Sequence, residues 1–220
     1  MDIISAEQAN RLYWLGRYTE RVYTTVRIYF KKYDVMIDEN EDSYEEFCQM
    51  VDIPNIYTSK EDFLKRYPFD PENPDSILSN LTRAYDNAIV LRESISSEAL
   101  SYIQLAIYEI NRAAESLSPL MEMQEVLDDL LAFWGIIDDK IDSEQIRNII
   151  KAGKRIERVD LYARFGMDAK QIARELKRLY PRVKGSGLSY EQDKLDQLER
   201  LVKEENMDSY KIVSIVETIL

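Results

Sequence analysis

A segment of this chain nearly repeats itself 137 residues further on. Residues 12–28 read LYWLGRYTERVYTTVRI, and residues 149–165 read IIKAGKRIERVDLYARF. Gly16 aligns with Gly153, Glu20 with Glu157, Arg21 with Arg158, Val22 with Val159 and Arg27 with Arg164, and Lys154 stands opposite Arg17. Both copies lie in long segments of helical apolar periodicity. The repeat is thus a helix carrying Gly, Glu and Arg at fixed spacing, and the fold has to accommodate two such helices with their charges.

The rest of the chain is of the same kind. Apolar residues make up 45% and charged residues 32%, with six Gly and six Pro, which is the composition of a soluble, helix-rich protein. A chain of this length buries a sizeable core and reads most simply as one all-α domain over 1–220, or as two closely packed halves. No apolar run is long enough to cross a bilayer, and the first residues carry no basic and apolar leader pattern. Cys48 is the sole cysteine, which excludes an internal disulfide and fits a reducing, cytoplasmic setting. Histidine is absent, so there is no Ser-His-Asp or Cys-His pair and no imidazole metal ligand. A net charge of −12 opposes non-specific binding to nucleic acid or to an anionic membrane, and neither is expected as a partner.

Helix boundaries are legible. Ser5 to Gln8 form a capping box before a helix expected to reach about Asp34, with Ile4, Leu12, Leu15, Val22, Val26 and Tyr29 on one side. Residues 35–42 read as an acidic break, followed by a helix over roughly 43–52 that ends at Pro54 and a short one starting at Ser59. Three prolines mark a loop over 68–75, after which Asp75 is expected to cap a helix to about Ser94. Further helices are expected from Ser96-Ser97 to Ser118, from about Leu120 to Ile137, and from an Asp142 cap to Gly166. Asp168 opens another, which Pro181 is expected to end, with 182–187 as a flexible linker. The last two start at Ser189 and near residue 208. The expected architecture is an all-α multi-helix bundle, roughly 70% helical against a usual third.

At 100° per residue Gly16, Glu20, Tyr23 and Arg27 form one stripe, and Gly153, Glu157, Asp160 and Arg164 form its copy. Both lie on the shoulder of an apolar seam, so their charges are expected to be partly buried. Glycine inside a helix costs about 1 kcal/mol relative to alanine, and its recurrence points to a second backbone crossing closely there. Matched spacing suggests pairing between copies, Glu20 with Arg164 and Glu157 with Arg27. Such pairs make either a buried ion network that docks helices or a cleft for a carboxylate or phosphate. Asn87, Arg92 and Glu93, close to Ser94 and Ser96, form a third polar cluster, read either as capping and surface pairing or as part of a site.

Asp138, Asp139 and Asp142 match DDxxD, a magnesium–diphosphate pattern, for which Asp128-Asp129 is only a weak second motif. A helix-to-helix turn explains them more simply. The crowded aromatics Tyr13, Trp14, Tyr18, Tyr23 and Tyr29 read as core packing. Cys48 has no basic neighbour to make it a nucleophile.

Three segments together resemble the alpha-E domain, a bacterial helical family. Leu12 to Arg21 resembles its LYWxGRYxER signature. Asn87-Ala88 with Arg92-Glu93-Ser94-Ile95-Ser96 resembles its NAR and VRExIS segment, with Ile89 replacing an arginine and Leu100 a tryptophan. Gly153 to Asp160 resembles its GRYxERAD segment. The resemblance covers roughly residues 5–165, leaving 168–220 as additional C-terminal helices. It puts Arg17, Glu20, Arg21, Arg27, Asn87, Arg92, Glu93, Glu157, Arg158 and Arg164 in the candidate polar cluster. Members tend to be encoded or fused beside ATP-grasp-type peptide ligases and transglutaminase-like proteins. The resemblance therefore implies a protein partner of that kind, no cofactor, and a non-catalytic accessory role in peptide ligation or modification. The alternative is an enzyme of the same pathway using Glu20 or Glu157 as acid or base. Self-association is open under either reading.

Overall fold

The computed structural model describes residues 4–38, 42–204 and 206–220. Among these are eleven helices and no strand, 77% helix in all, as an all-α bundle requires. No described helix is long and apolar enough to cross a membrane. The chain divides into two compact units, one of Met1–Glu20 with Ile141–Leu220 and one of Arg21–Lys140.

The first unit contains the start of α1 (Ala6–Asp38) together with α8 (Glu144–Arg164), α9 (Ala169–Ser186), α10 (Gln192–Leu201) and α11 (Ser209–Val216). Its core joins Ile156 and Val159 of α8, Ile172, Leu176 and Leu179 of α9, Leu195 and Leu198 of α10 and Ile212 and Val216 of α11, with Tyr13 of α1 packed against it. The helix starts are capped by short polar side chains that satisfy otherwise unpaired amides. Ser5 Oγ accepts from Gln8 N at 3.1 Å, and Asp168 and Asp208 accept from Gln171 N and Lys211 N at 2.8 and 3.0 Å. The cap of α8 is Ser143, accepting from Ile146 N at 3.3 Å, one residue beyond the expected Asp142. Likewise α10 starts at Gln192, three residues after the expected Ser189.

Residues 182–187 are not a linker. α9 continues through Pro181 to Ser186 and stops at Gly187, whose φ of +70° suits a left-handed cap. Tertiary contacts override the proline and glycine signals here. Val183 is fully buried, Arg182 Nη1 donates to Asn148 Oδ1 at 2.9 Å, and Gln145 Nε2 donates to the Ser186 carbonyl at 3.1 Å. A Cβ on Gly185 would strike Asn148, so the glycine lets α9 lie against the start of α8.

The second unit contains the remainder of α1 with α2 (Ser43–Val51), α3 (Lys60–Arg66), α4 (Ile77–Val90), α5 (Arg92–Ile95), α6 (Ser97–Glu115) and α7 (Pro119–Asp139). α1 runs on to Asp38, past the expected end at Asp34; the acidic break expected over 35–42 falls partly on 39–41, outside the described residues. The cap of α4 is Ser76, not Asp75: Ser76 Oγ accepts from Ser79 N at 3.0 Å, while Asp75 lies in the preceding turn, its N–H donating to Asn73 Oδ1 at 2.9 Å. Ser96 sits at φ +79° and caps α6, and Pro119 occupies the first turn of α7, where its missing N–H costs nothing. α6 and α7 pack together as a hairpin, with Ile103, Ile110, Met123 and Leu130 fully buried.

Aromatic side chains build the core beside α1. Phe63 stacks on Tyr67 at 5.1 Å and 8°, while Phe47 meets Tyr67 edge-on at 5.1 Å. Tyr29 of α1 packs on Phe63 at 6.1 Å and donates to the Leu64 carbonyl at 3.3 Å. Cys48 is buried in the same unit, and burial pushes its thiol up to about 11, far from a nucleophile's range.

Candidate functional site

The repeat helices meet at their glycines. A Cβ on Gly16 would collide with the carbonyl of Ile150 and lie 3.1 Å from Lys154 N; a Cβ on Gly153 would collide with the carbonyl of Tyr13 and lie 3.2 Å from Arg17 N. Tyr13 and Ile150, and Arg17 and Lys154, are themselves partners in the 137-residue repeat. The crossing is therefore reciprocal, each glycine admitting the other helix's backbone. Two helices in such contact bring together only those side chains within a turn or so of the crossing.

The ion pairs obey that limit. Arg17 Nε donates to Glu157 Oε2 at 2.6 Å. Arg158 grips Glu20 through both oxygens, at 2.5 Å from Nε and 2.8 Å from Nη2, a bidentate arrangement suited to arginine. Both glutamates are 0% exposed. The expected pairs Glu20–Arg164 and Glu157–Arg27 do not form. Arg164 lies eleven residues beyond Gly153, about 16 Å along the helix. It bonds Asp160 at 3.0 Å and Glu217 of α11 at 3.2 Å instead. Arg27, equally far from Gly16, is exposed and lies 5.6 Å from the Tyr23 ring centroid.

Arg17 also covers an aromatic floor, 5.1 Å from Trp14 and 5.9 Å from Tyr13. Burial and the nearby Glu157 push Asp160 up to about 6, although Arg164 and Arg17 oppose the shift. Burial pushes Lys154 down to about 7; Glu20 opposes this, while Arg158, Arg155 and Lys151 reinforce it.

Sequence reasoning missed Glu175 of α9. It is fully buried, and Arg155 Nη1 bonds its Oε2 at 2.5 Å while Arg178 Nη1 bonds Oε1 at 2.8 Å. Arg158, already on Glu20, stands 3.9 Å from it and so links the two carboxylates. A signal was present: Glu175 sits at the seam positions of Ile172, Leu176 and Leu179, where an acidic residue needs a partner.

The other candidates belong to the second unit. Arg21 Nη1 reaches Asn80 Oδ1 at 3.5 Å, and Asn80 itself is buried, its Nδ2 donating to the Ser76 carbonyl at 2.8 Å. Asn87 Nδ2 donates to the Arg83 carbonyl at 3.2 Å. Arg92 and Glu93 are exposed on the short α5, with Arg92 Nε bonded to Ser97 Oγ at 3.0 Å. That cluster thus follows the capping and surface pattern. DDxxD is not one helical face: α7 ends at Asp139, Lys140 caps it, and Asp142 lies in the turn beyond. Among the described residues no group of three or more carboxylate, histidine or cysteine side chains is placed to hold a metal ion.

A family model described as a predicted alpha-helical domain with a conserved ER motif matches residues 5–180. The match extends beyond the second repeat helix into α9 and so takes in Glu175. Comparisons with curated proteins and with solved structures find no match. The Glu20-Arg21 and Glu157-Arg158 dipeptides are this chain's ER pairs, and by that match the chain belongs to the Alpha-E family.

Proposed function

We propose that this protein is a non-catalytic helical accessory that docks a protein partner in a peptide ligation or modification pathway, an ATP-grasp-type ligase or a transglutaminase-like protein. One observation carries the reading. Glu20 and Glu157, the groups an enzyme built on this motif would use as acid or base, are 0% exposed and held by Arg158 and Arg17. A proton-transferring carboxylate has to come within hydrogen-bond reach of a substrate. Buried and gripped in this way, the pairs serve to hold α1 against α8.

The second unit supports a docking role. Leu117 is fully exposed at 103%, and Met121 (76%), Val90 (61%) and Tyr108 (61%) are largely so. Large apolar and aromatic groups of this type are what a partner covers. A lone buried thiol suits a cytoplasmic complex.

Light scattering on the purified protein mixed with a candidate ATP-grasp-type ligase or transglutaminase-like protein tests the reading. A complex of defined stoichiometry is expected, weakened at least tenfold by Met121→Asp with the fold unchanged. No complex with ligase or transglutaminase-like protein, or turnover by the isolated chain that Glu157→Gln abolishes without unfolding, would overturn it.

A further inference from the structure

α9 and α10 leave a cavity of about 400 Å³ between them, a size within the range of small-molecule sites. Ala173, Leu176, Lys177 and Tyr180 stand at i, i+3, i+4 and i+7 on α9, so a single face of that helix forms one wall. Glu199, Val202 and Lys203, at and just beyond the end of α10, form the other. The interior is apolar: Leu176 is 3% and Val202 6% exposed, and both belong to the core of the first unit. Lys177, Glu199 and Lys203 are exposed and make the rim.

The walls restrict what a ligand can be offered. The α9 residues lie inside the helix, where their N–H groups are engaged, and Val202 N and Lys203 N donate to the carbonyls of Leu198 and Arg200 at 3.2 and 3.0 Å. Tyr180 spends its hydroxyl on the Leu195 carbonyl at 2.7 Å, which also fixes its ring. The donors left are ammonium groups. Lys203 pairs with Glu199 at 3.2 Å, whereas Lys177 makes no hydrogen bond or ion pair among the described residues. Its neighbours Arg174 and Arg178 are both drawn to Glu175, at 3.5 and 2.8 Å. A ligand with amides would bury carbonyls that find no N–H here, a cost that a purely apolar body avoids. One carboxylate matches the one uncommitted ammonium, at a rim where two lysines face a single glutamate. Apolar burial then supplies the affinity and the charge sets the orientation.

We propose that the cavity between α9 and α10 binds a small amphipathic monocarboxylate, its apolar body lying on Leu176, Val202 and the Tyr180 ring and its carboxylate held by Lys177 Nζ. The cavity belongs to the first unit and the exposed apolar residues offered to a partner belong to the second, so either holds without the other.

The test titrates the full chain with octanoate, and with acetate, octanol and a pentapeptide ending in leucine at matched ionic strength, read by calorimetry and methyl NMR. Octanoate is expected to bind saturably and to shift the methyl signals of Leu176 and Val202, while acetate does neither. Lys177→Met is expected to weaken octanoate about threefold, the effect of one partly screened ion pair, and to leave octanol unchanged. Ala173→Phe is expected to fill the cavity and abolish binding of both; should it not fold, Lys177→Met, at an exposed position, decides alone. Absence of saturable octanoate binding, methyl shifts confined to other residues, octanol bound as tightly as octanoate, or undiminished octanoate binding by Lys177→Met would overturn the proposal. So would a pentapeptide that binds more tightly than octanoate, since the cavity would then take a peptide.

Discussion

Replacing Gly16 by alanine should destabilise the protein, although alanine is the better helix former. Propensity alone favours the change by about 1 kcal/mol. Against it stands the carbonyl of Ile150, a backbone atom of α8 that has no rotamer to escape into. A methyl group can be admitted only by moving α1 away from α8, and overpacking of this kind costs about 1–3 kcal/mol where side chains can yield. Here the separation also stretches the Arg17–Glu157 bond from 2.6 Å and the Arg158–Glu20 bond from 2.5 Å, both buried. A net loss of about 2–4 kcal/mol follows, or roughly 5–15 °C in Tm for a chain of this size. Gly153→Ala meets the equivalent carbonyl, that of Tyr13, and should cost a similar amount. The double variant should cost less than the sum, since one displacement makes room for both methyl groups. Gly135→Ala in α7 is the control: nothing lies within 4 Å of its Cβ position, so about 1 kcal/mol of stabilisation is expected. Thermal and urea denaturation of the four variants measure all of this. If Gly16→Ala matches Gly135→Ala, the close crossing does not govern the fold.

Glu157→Gln leaves the Arg17 guanidinium buried beside a neutral amide and should cost about 3–5 kcal/mol, whereas the volume-matched pair Arg17→Met/Glu157→Leu should recover most of it; urea denaturation of single and double variants decides between them. Stability should also vary with pH in a way that one lysine controls. With Lys154 at about 7 in the folded protein and near 10.4 when unfolded, the unfolded chain holds the extra proton between those values, so this group adds stability as pH rises from 7 towards 10. In phosphate-free chloride the parent should gain up to about 1.4 kcal/mol per pH unit relative to Lys154→Met over that window, and parallel profiles would refute it. Asp160 acts oppositely: held at about 6, it keeps its proton longer when folded, so its contribution falls between pH 4 and 6. Asp160→Asn should remove that fall.

The glycine crossing was legible in the sequence because glycine inside a helix has few explanations other than close approach. The pairing of the charges was not. The repeat matched Glu20 to Arg164 by symmetry, but the reach of a side chain is set by its distance from the crossing, which favours Arg17 and Arg158. Symmetry is also broken by chemistry, since Arg17 has Lys154 as its counterpart and each glutamate ends with a different arginine of the repeat. Glu175 escaped notice because it stands outside the repeat. Pro181 and Gly185 read as a break because local propensity says nothing of Asn148 and Gln145, which hold the end of α9 in helical form. The shifts of the α4 and α8 caps by one residue turn on which of two adjacent side chains is free to reach the amide.

The division of the chain between Glu20 and Arg21 bears on the order of synthesis. The second unit, 21–140, is continuous, so all of its segments are present once residue 140 has left the ribosome. The first is assembled from two pieces, and its opening piece emerges first but finishes last. Glu20 must wait for Arg158, 138 residues later, which at ordinary translation rates is roughly 7–28 s. During that interval Tyr13, packed in the finished protein against the core of the first unit, has no α8 to meet. The nascent chain therefore carries the opening of α1 without the helix that it crosses, and that segment is where a chaperone would be needed most.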